Sequence, residues 1–256
     1  MKSAFNRLAL AGASLIAGLF LAEGCQTAEK ANPNPNLAQG AAGSTAPSTR
    51  ERTPESQAAM SPQDALAKLR AGNARFAAGQ SRARNLPAEV RGTAGGQYPF
   101  GVVLSCLDSR VPVELIFDQG IGDLFNARVA GNVLNDDILG SLEFACKVSG
   151  AKLIVVLGHS NCGAVKGAVD GVKLGKLTGL LDQIKPAVTK VPASVQPRTS
   201  KNSEFVEEVA EANVRLVMQQ IREQSPILRE MLDAGSIGLA GGMYDLATGE
   251  VHFLSN

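Results

Sequence analysis

The chain has 256 residues, 45% of them hydrophobic, with 27 glycines, 12 prolines and no tryptophan, a length that suits one domain of ordinary size plus appendages. Basic residues number 25 against 24 acidic ones, and removing residues 1–24 takes away Lys2, Arg7 and Glu23 and leaves a neutral chain. That balance gives no footing for nucleic acid or an acidic surface as partner, and leaves small molecules and soluble partners as the default.

Residues 1–24 read as an export signal. Lys2 and Arg7 supply the positive start, Leu8–Ala22 is apolar and uncharged, and Ala22 and Gly24 are small enough for cleavage before Cys25. The apolar run is shorter than the ~20 residues a bilayer-spanning helix needs. A signal followed by cysteine resembles a bacterial lipoprotein start, which implies a lipid on Cys25, although Ala22 stands where leucine is usual. The expected location is the periplasm, with lipid attachment to the envelope through Cys25 as the further possibility. Residues 25–60 hold Pro, Asn, Ser, Thr, Gly and Ala with almost no large apolar side chain. They bury too little to offset their ordering entropy and read as a flexible tether.

The folded part, 61–256, opens with a helix: Ser61 is the N-cap, Pro62 occupies the first helical position, and Ala65, Leu66 and Leu69 follow the helical period. Gly72 is expected to weaken or interrupt it. Phe100–Leu104 is a continuous apolar run and predicts a strand; a short helix follows Pro112, and a second strand lies around Asp123–Val129. Asp137–Lys147 has helical spacing. Leu153–Leu157 reads as a buried strand, turning at Gly158 into a helix from about Cys162. Helices are expected at Ser203–Glu223 and Ile227–Ala234, and two last strands around Ala247–Gly249. Strands separated by helices, apolar throughout, predict an α/β fold with a mostly parallel sheet covered on both faces.

Parallel sheets gather functional groups beyond the carboxyl ends of their strands. Two such ends carry cysteine here: Cys106 after VVLS, and His159 with Cys162 after VVLG. Two thiolates and one imidazole form a Cys2His set of the kind that holds catalytic zinc with one position open. Buried packing cysteines and disulfides are the competing readings. Cys106, Asp108 and Arg110 would share one face if the chain stays extended. An Asp108–Arg110 ion pair has no evident task beside a disulfide. Beside zinc, Asp108 either binds the metal or, held by Arg110, leaves a position for water, whose pKa on zinc falls to about 7.

The segments CLDSRVPVELIFDQGIGDLFNARVAGNV and GHSNCGAV are similar to β-class carbonic anhydrases, whose pattern runs C-x-D-S-R, R-x-x-x-N, then G-H-[ST]-x-C-G. The resemblance spans about Ser61 to the C-terminus. It implies Zn2+ on Cys106, His159 and Cys162, with Asp108 a fourth ligand in a closed state, and Asp108–Arg110 as catalytic dyad. It also implies reversible hydration of CO2 to bicarbonate by zinc hydroxide. Gln97 matches a glutamine that reaches substrate across a dimer interface, Val111 and Phe125 match apolar pocket positions, and Phe144 stands where tyrosine is frequent. Val103 takes the place of a tryptophan of the allosterically inhibited subgroup, which implies the open-site form. The family fold is a four-stranded parallel core with an added edge strand and an N-terminal helical arm, assembled as a homodimer or higher oligomer. Hydrolysis of CS2 or COS on the same scaffold, and a non-enzymatic zinc- or thiol-binding envelope protein, are the alternatives. His252 reads as an exposed strand residue rather than a proton shuttle.

Overall fold

A computed structural model describes residues 53–255. The expected export signal, Cys25 and nearly all of the tether lie outside the described residues. The apolar runs form the sheet: β1 (Gly101–Ser105), β2 (Leu124–Arg128), β3 (Leu153–His159), β4 (Gly238–Tyr244) and β5 (Val251–Phe253), in the order β2-β1-β3-β4-β5. β1 to β4 are parallel and β5 returns antiparallel to β4, so the core is the four-stranded parallel sheet with an edge strand that the family resemblance implies.

Alternation explains the two buried faces. Val102, Leu104, Ile154 and Val156 point to one side, against α5 (Asp136–Glu143), α9 (Ser203–Gln224) and α10 (Pro226–Asp233). Val103, Leu153, Val155 and Leu157 point to the other, against Ala65 and Leu69 of α2 (Pro62–Ala77) and Val113 and Ile116 of α4 (Val113–Ile116). A third cluster joins Val165 of α6 (Gly163–Val169), Leu181 of α7 (Gly175–Asp182), Ala187 of α8 (Lys185–Lys190) and Phe205 of α9, and includes Cys106 and Cys162.

Two expectations are corrected. Ordered structure begins before Ser61, because α1 (Pro54–Ala58) is anchored by Gln57 Nε2, which donates to the carbonyls of Pro99 at 2.7 Å and Ser149 at 2.8 Å. Gly72 does not interrupt α2, which runs unbroken. A Cβ at Gly72 would meet the Phe117 carbonyl oxygen at 1.8 Å, so the glycine lets the helix rest on the backbone after α4. Asn73 fastens that contact, donating to Ile116 O and Gly249 O and accepting from Val251 N. The helix predicted at Asp137–Lys147 is α5 followed by one π-helical turn, Phe144–Val148.

Candidate metal and active site

Strand order brings the donors together. The chain leaves β1 for β2 on one side and returns as β3 on the other, so the gap beyond β1 and β3 is the switch point where open parallel sheets place ligands. Ser105, the last residue of β1, pairs with Leu157, and β3 runs on to His159. Asn161 then turns the chain in left-handed backbone (φ 55°), and Cys162 becomes the N-cap of α6.

The donor atoms of Cys106, His159 and Cys162 lie within 4.8 Å of one another, and all three residues are buried. The two sulfurs are 4.0 Å apart and unbonded, against the disulfide reading. Two thiolates on one tetrahedral zinc, at bonds of about 2.3 Å, would sit about 3.8 Å apart. His159 Nδ1 faces the Ser160 carbonyl oxygen at 2.9 Å, so Nδ1 carries the proton and Nε2 presents its lone pair. Nε2 is buried with no hydrogen-bond partner. A desolvated, unpartnered imidazole nitrogen beside two sulfurs is a donor set that fits zinc.

The sulfurs cannot both ionise unaided. The Cys162 sulfur, against the opposing effect of burial, favours Cys106 as the thiolate, helped by His159 and by the amides of Gly131 and Asp108. The Cys106 sulfur and burial in turn hold Cys162 protonated, although the Ala164 and Val165 amides at the start of α6 oppose this. A cation between them removes that conflict.

β1 ends at Ser105, so the extended alternation expected for Cys106, Asp108 and Arg110 does not operate. A turn follows, in which Val111 N donates to Asp108 O at 3.0 Å. Within it Arg110 grips Asp108 side-on: Nε to Oδ1 at 2.9 Å, Nη2 to Oδ2 at 2.7 Å, and the backbone N to Oδ1 at 3.0 Å. The Arg110 side chain holds the Asp108 carboxyl far below the usual carboxylate range. Asp108 Oδ2 lies 3.9 Å from His159 Nε2 and so borders the donor cluster.

The other predicted residues divide. Val111 and Val103 are wholly buried in the core under α2 and α4. Phe125 packs edge-on against Phe144, with ring centroids 6.2 Å apart, in a groove of about 590 Å³ beside edge strand β2. Phe125 pairs with Val102, four residues before Cys106, which is about 13 Å along a strand. Gln97 is exposed on the loop entering β1. The fold thus gathers Cys106, Asp108, Arg110, His159 and Cys162 at one end of the sheet, while Gln97, Phe125 and Phe144 sit toward the other. His252 is exposed on β5.

Contacts made by three residues escaped the sequence reading. Arg128 donates from Nε to the Cys106 carbonyl at 3.1 Å and from Nη2 to the Asp108 carbonyl. Gly131 N donates to Cys106 Sγ at 3.2 Å. Ser160 ties the metal loop to β4 and its turn, donating from N to Tyr244 O and accepting at Oγ from Leu246 N. The R-x-x-x-N element spans Arg128–Asn132 but carries no assignment for the arginine; a hydrogen bond to sulfur from a glycine amide leaves no trace in residue type.

Residues 101–251 match the carbonic anhydrase family profile. The chain is 37% identical over 182 residues to carbonic anhydrase 2 of Mycobacterium tuberculosis, covering 71% of this chain and 87% of that protein. It is 38% identical over 189 residues to the carbonic anhydrase of Mycolicibacterium smegmatis, covering 73% and 91%. Among solved structures, the β-carbonic anhydrase CafA of Aspergillus fumigatus superposes with a TM-score of 0.58 at 26% identity, over 75% of this chain and 90% of that one. A tetrameric β-carbonic anhydrase of Sordaria macrospora superposes with a TM-score of 0.56 at 26% identity, over 66% and 85%.

Proposed function

This chain belongs to the β-class carbonic anhydrase family, and from that premise we propose that it catalyses the reversible hydration of CO2 to bicarbonate, with zinc held by Cys106, His159 and Cys162 and with Asp108 and Arg110 as the dyad that governs access to it. The observation that carries the reading is the side-on Arg110 grip on a carboxylate bordering three buried, convergent metal donors. Zinc supplies the Lewis acidity that ionises water near neutral pH.

The chain's own residues then have separable tasks. Arg110 donates to both oxygens of Asp108, which keeps the carboxylate ionised and would hold it off a bound metal. Asp108 Oδ2, on the cluster side, retains acceptor capacity and orients a donor O–H there. Val133 and Val165, packed with Cys106 and Cys162, keep bulk water from the donors. Stopped-flow CO2 hydration by zinc-loaded protein tests the proposal. Acceleration is expected near neutral and mildly alkaline pH, and none between about pH 7 and 9 overturns it.

A homo-oligomer accompanies this reading. β2 is an edge strand, Phe144 is 49% exposed beside it, and Leu107 and Leu115 are 59% and 62% exposed, a surface that suits a second copy of the chain. In a second copy so placed, Gln97 and the Phe125–Phe144 pair would approach the neighbouring metal site. Residues 1–25 support an exported, envelope-associated enzyme, which the mass of the mature N-terminus tests.

A further inference from the structure

Asn213 is an anomaly in α9. It sits between Val209, Ala210, Val214 and Val217 on the buried stripe of the helix and is 1% exposed, at a position where an aliphatic side chain would pack without desolvating an amide. Its Nδ2 donates to the Gly131 carbonyl at 2.9 Å, and its Oδ1 is buried with no partner. The amide is therefore present for its donor, and the donor has one target.

That target is the turn Ala130–Asn132, in which Gly131 (φ 68°) and Asn132 (φ 42°) are both left-handed, and whose Asn132 Nδ2 is likewise buried without a partner. Glycine adopts that backbone freely and asparagine is one of the few other residues that does, so the turn suits these two residues and its position is set by what holds it. A side chain at Gly131 is disfavoured, both by its left-handed φ of 68° and because a Cβ would meet Ile184 Cδ1 at 2.6 Å and Ala164 Cβ at 3.2 Å. The same glycine donates its N–H to Cys106 Sγ at 3.2 Å. A single residue thus has its carbonyl anchored by Asn213 and its amide aimed at a sulfur.

We propose that Asn213 is a positioning residue of the metal centre, holding the Gly131 turn so that the Gly131 amide donates to the Cys106 thiolate and withdraws charge from it. The inference rests on the zinc reading of Cys106, His159 and Cys162, and concerns residues that touch neither the metal nor substrate. Outer hydrogen bonds of this kind orient a ligand and tune its donor strength, and their loss costs about 10–100-fold in metal affinity.

The test compares wild-type protein with Asn213→Leu, close in volume and lacking the donor. The wild-type protein is first shown to bind zinc in competition with a chelator; failure there sinks the zinc reading itself. Given binding, Asn213→Leu is expected to hold zinc at least about 10-fold more weakly at unchanged helix content. In cobalt(II)-substituted protein its thiolate-to-metal charge-transfer band is expected at longer wavelength, because a sulfur without an N–H donor is easier to oxidise. Unchanged affinity and an unchanged band make Asn213 a packing residue and overturn the proposal. Should Asn213→Leu fail to fold, Asn213→Ala loaded with cadmium-113 is compared with wild type: scalar coupling between the metal and the Gly131 amide proton is expected in wild type and weakened in the variant, and equal coupling in both overturns the proposal.

Discussion

Arg110 meets Asp108 along one edge of its guanidinium, with Nε 2.9 Å from Oδ1 and Nη2 2.7 Å from Oδ2, a paired geometry that lysine cannot reproduce. Arg110→Met removes both bonds and frees the carboxylate to swing toward the donor cluster. CO2 hydration is expected to fall by about 10²-fold or more, within the range for loss of an acid–base group, while zinc content by elemental analysis stays at the wild-type level. Arg110→Lys is expected to fall between them. Retention of full activity by Arg110→Met removes the dyad from the mechanism.

Arg128 holds the backbone of the same turn from the neighbouring strand, through the carbonyls of Cys106 and Asp108. Because both acceptors belong to the backbone, the contact sets the position of Cys106 and Asp108 without touching either side chain. Arg128→Lys keeps the charge but cannot span two carbonyls at once. Its kcat is expected to fall several-fold to about 10-fold, with helix and sheet content unchanged by circular dichroism. An unchanged kcat makes Arg128 a surface residue.

What the sequence conveyed and what it withheld have physical causes. Leu153–Leu157 was legible as a strand because both of its faces are buried and no polar residue interrupts the run. Cys106, His159 and Cys162 were legible as a group because strand ends in a parallel sheet converge in space. Gly72 is expected to weaken or interrupt α2 because of its backbone freedom; the helix runs unbroken, and what the glycine provides is a close approach set by Phe117, 45 residues away in the chain. Residues 53–60 were misread because their composition is polar, while a single side chain, Gln57, anchors the segment by two long-range hydrogen bonds. The Asn213–Gly131–Cys106 chain was invisible because each link runs through the backbone.

Asp118 ties the last turn of α2 and the segment after it to the loop after α4. It is buried, and it accepts from Arg75 Nε at 2.6 Å, from Arg82 N at 3.2 Å and from Arg84 Nη2 at 3.3 Å. Burial alone would raise its pKa, but these partners outweigh it and leave the carboxyl below the ordinary value. A depressed folded-state pKa contributes stability that is present above the unfolded value, about 3.9, and lost as pH falls through the folded one. Asp118→Asn is therefore expected to be less stable than wild type at pH 7. The gap should narrow on acidification below about pH 4, where wild type loses this contribution. Its neutral-pH cost should be about 2 kcal/mol, under the usual value for a buried pair because Arg75 and Arg84 are 24% and 22% exposed. Urea unfolding at several pH values measures both, and a gap independent of pH contradicts the assignment.

Metal removal should expose a difference among the three described thiols. Cys146 lies in the core beside α10, and burial pushes its thiol up to about 12, so it stays protonated and unreactive at pH 8 whether or not metal is bound. As the proposed zinc ligands, Cys106 and Cys162 would be shielded in the metal-loaded protein. Once a chelator strips it, the single thiolate the pair supports belongs to Cys106, where Cys162, His159 and the Gly131 amide favour it. Alkylation followed by peptide mapping is expected to label neither site in the zinc-loaded protein, Cys106 ahead of Cys162 in the stripped protein, and Cys146 only on unfolding. The stripped protein should also melt at a lower temperature and recover on adding zinc, since a ligand that binds only the folded state stabilises it by mass action. Labelling of Cys106 and Cys162 at equal rates before and after chelation would show that no metal shields them.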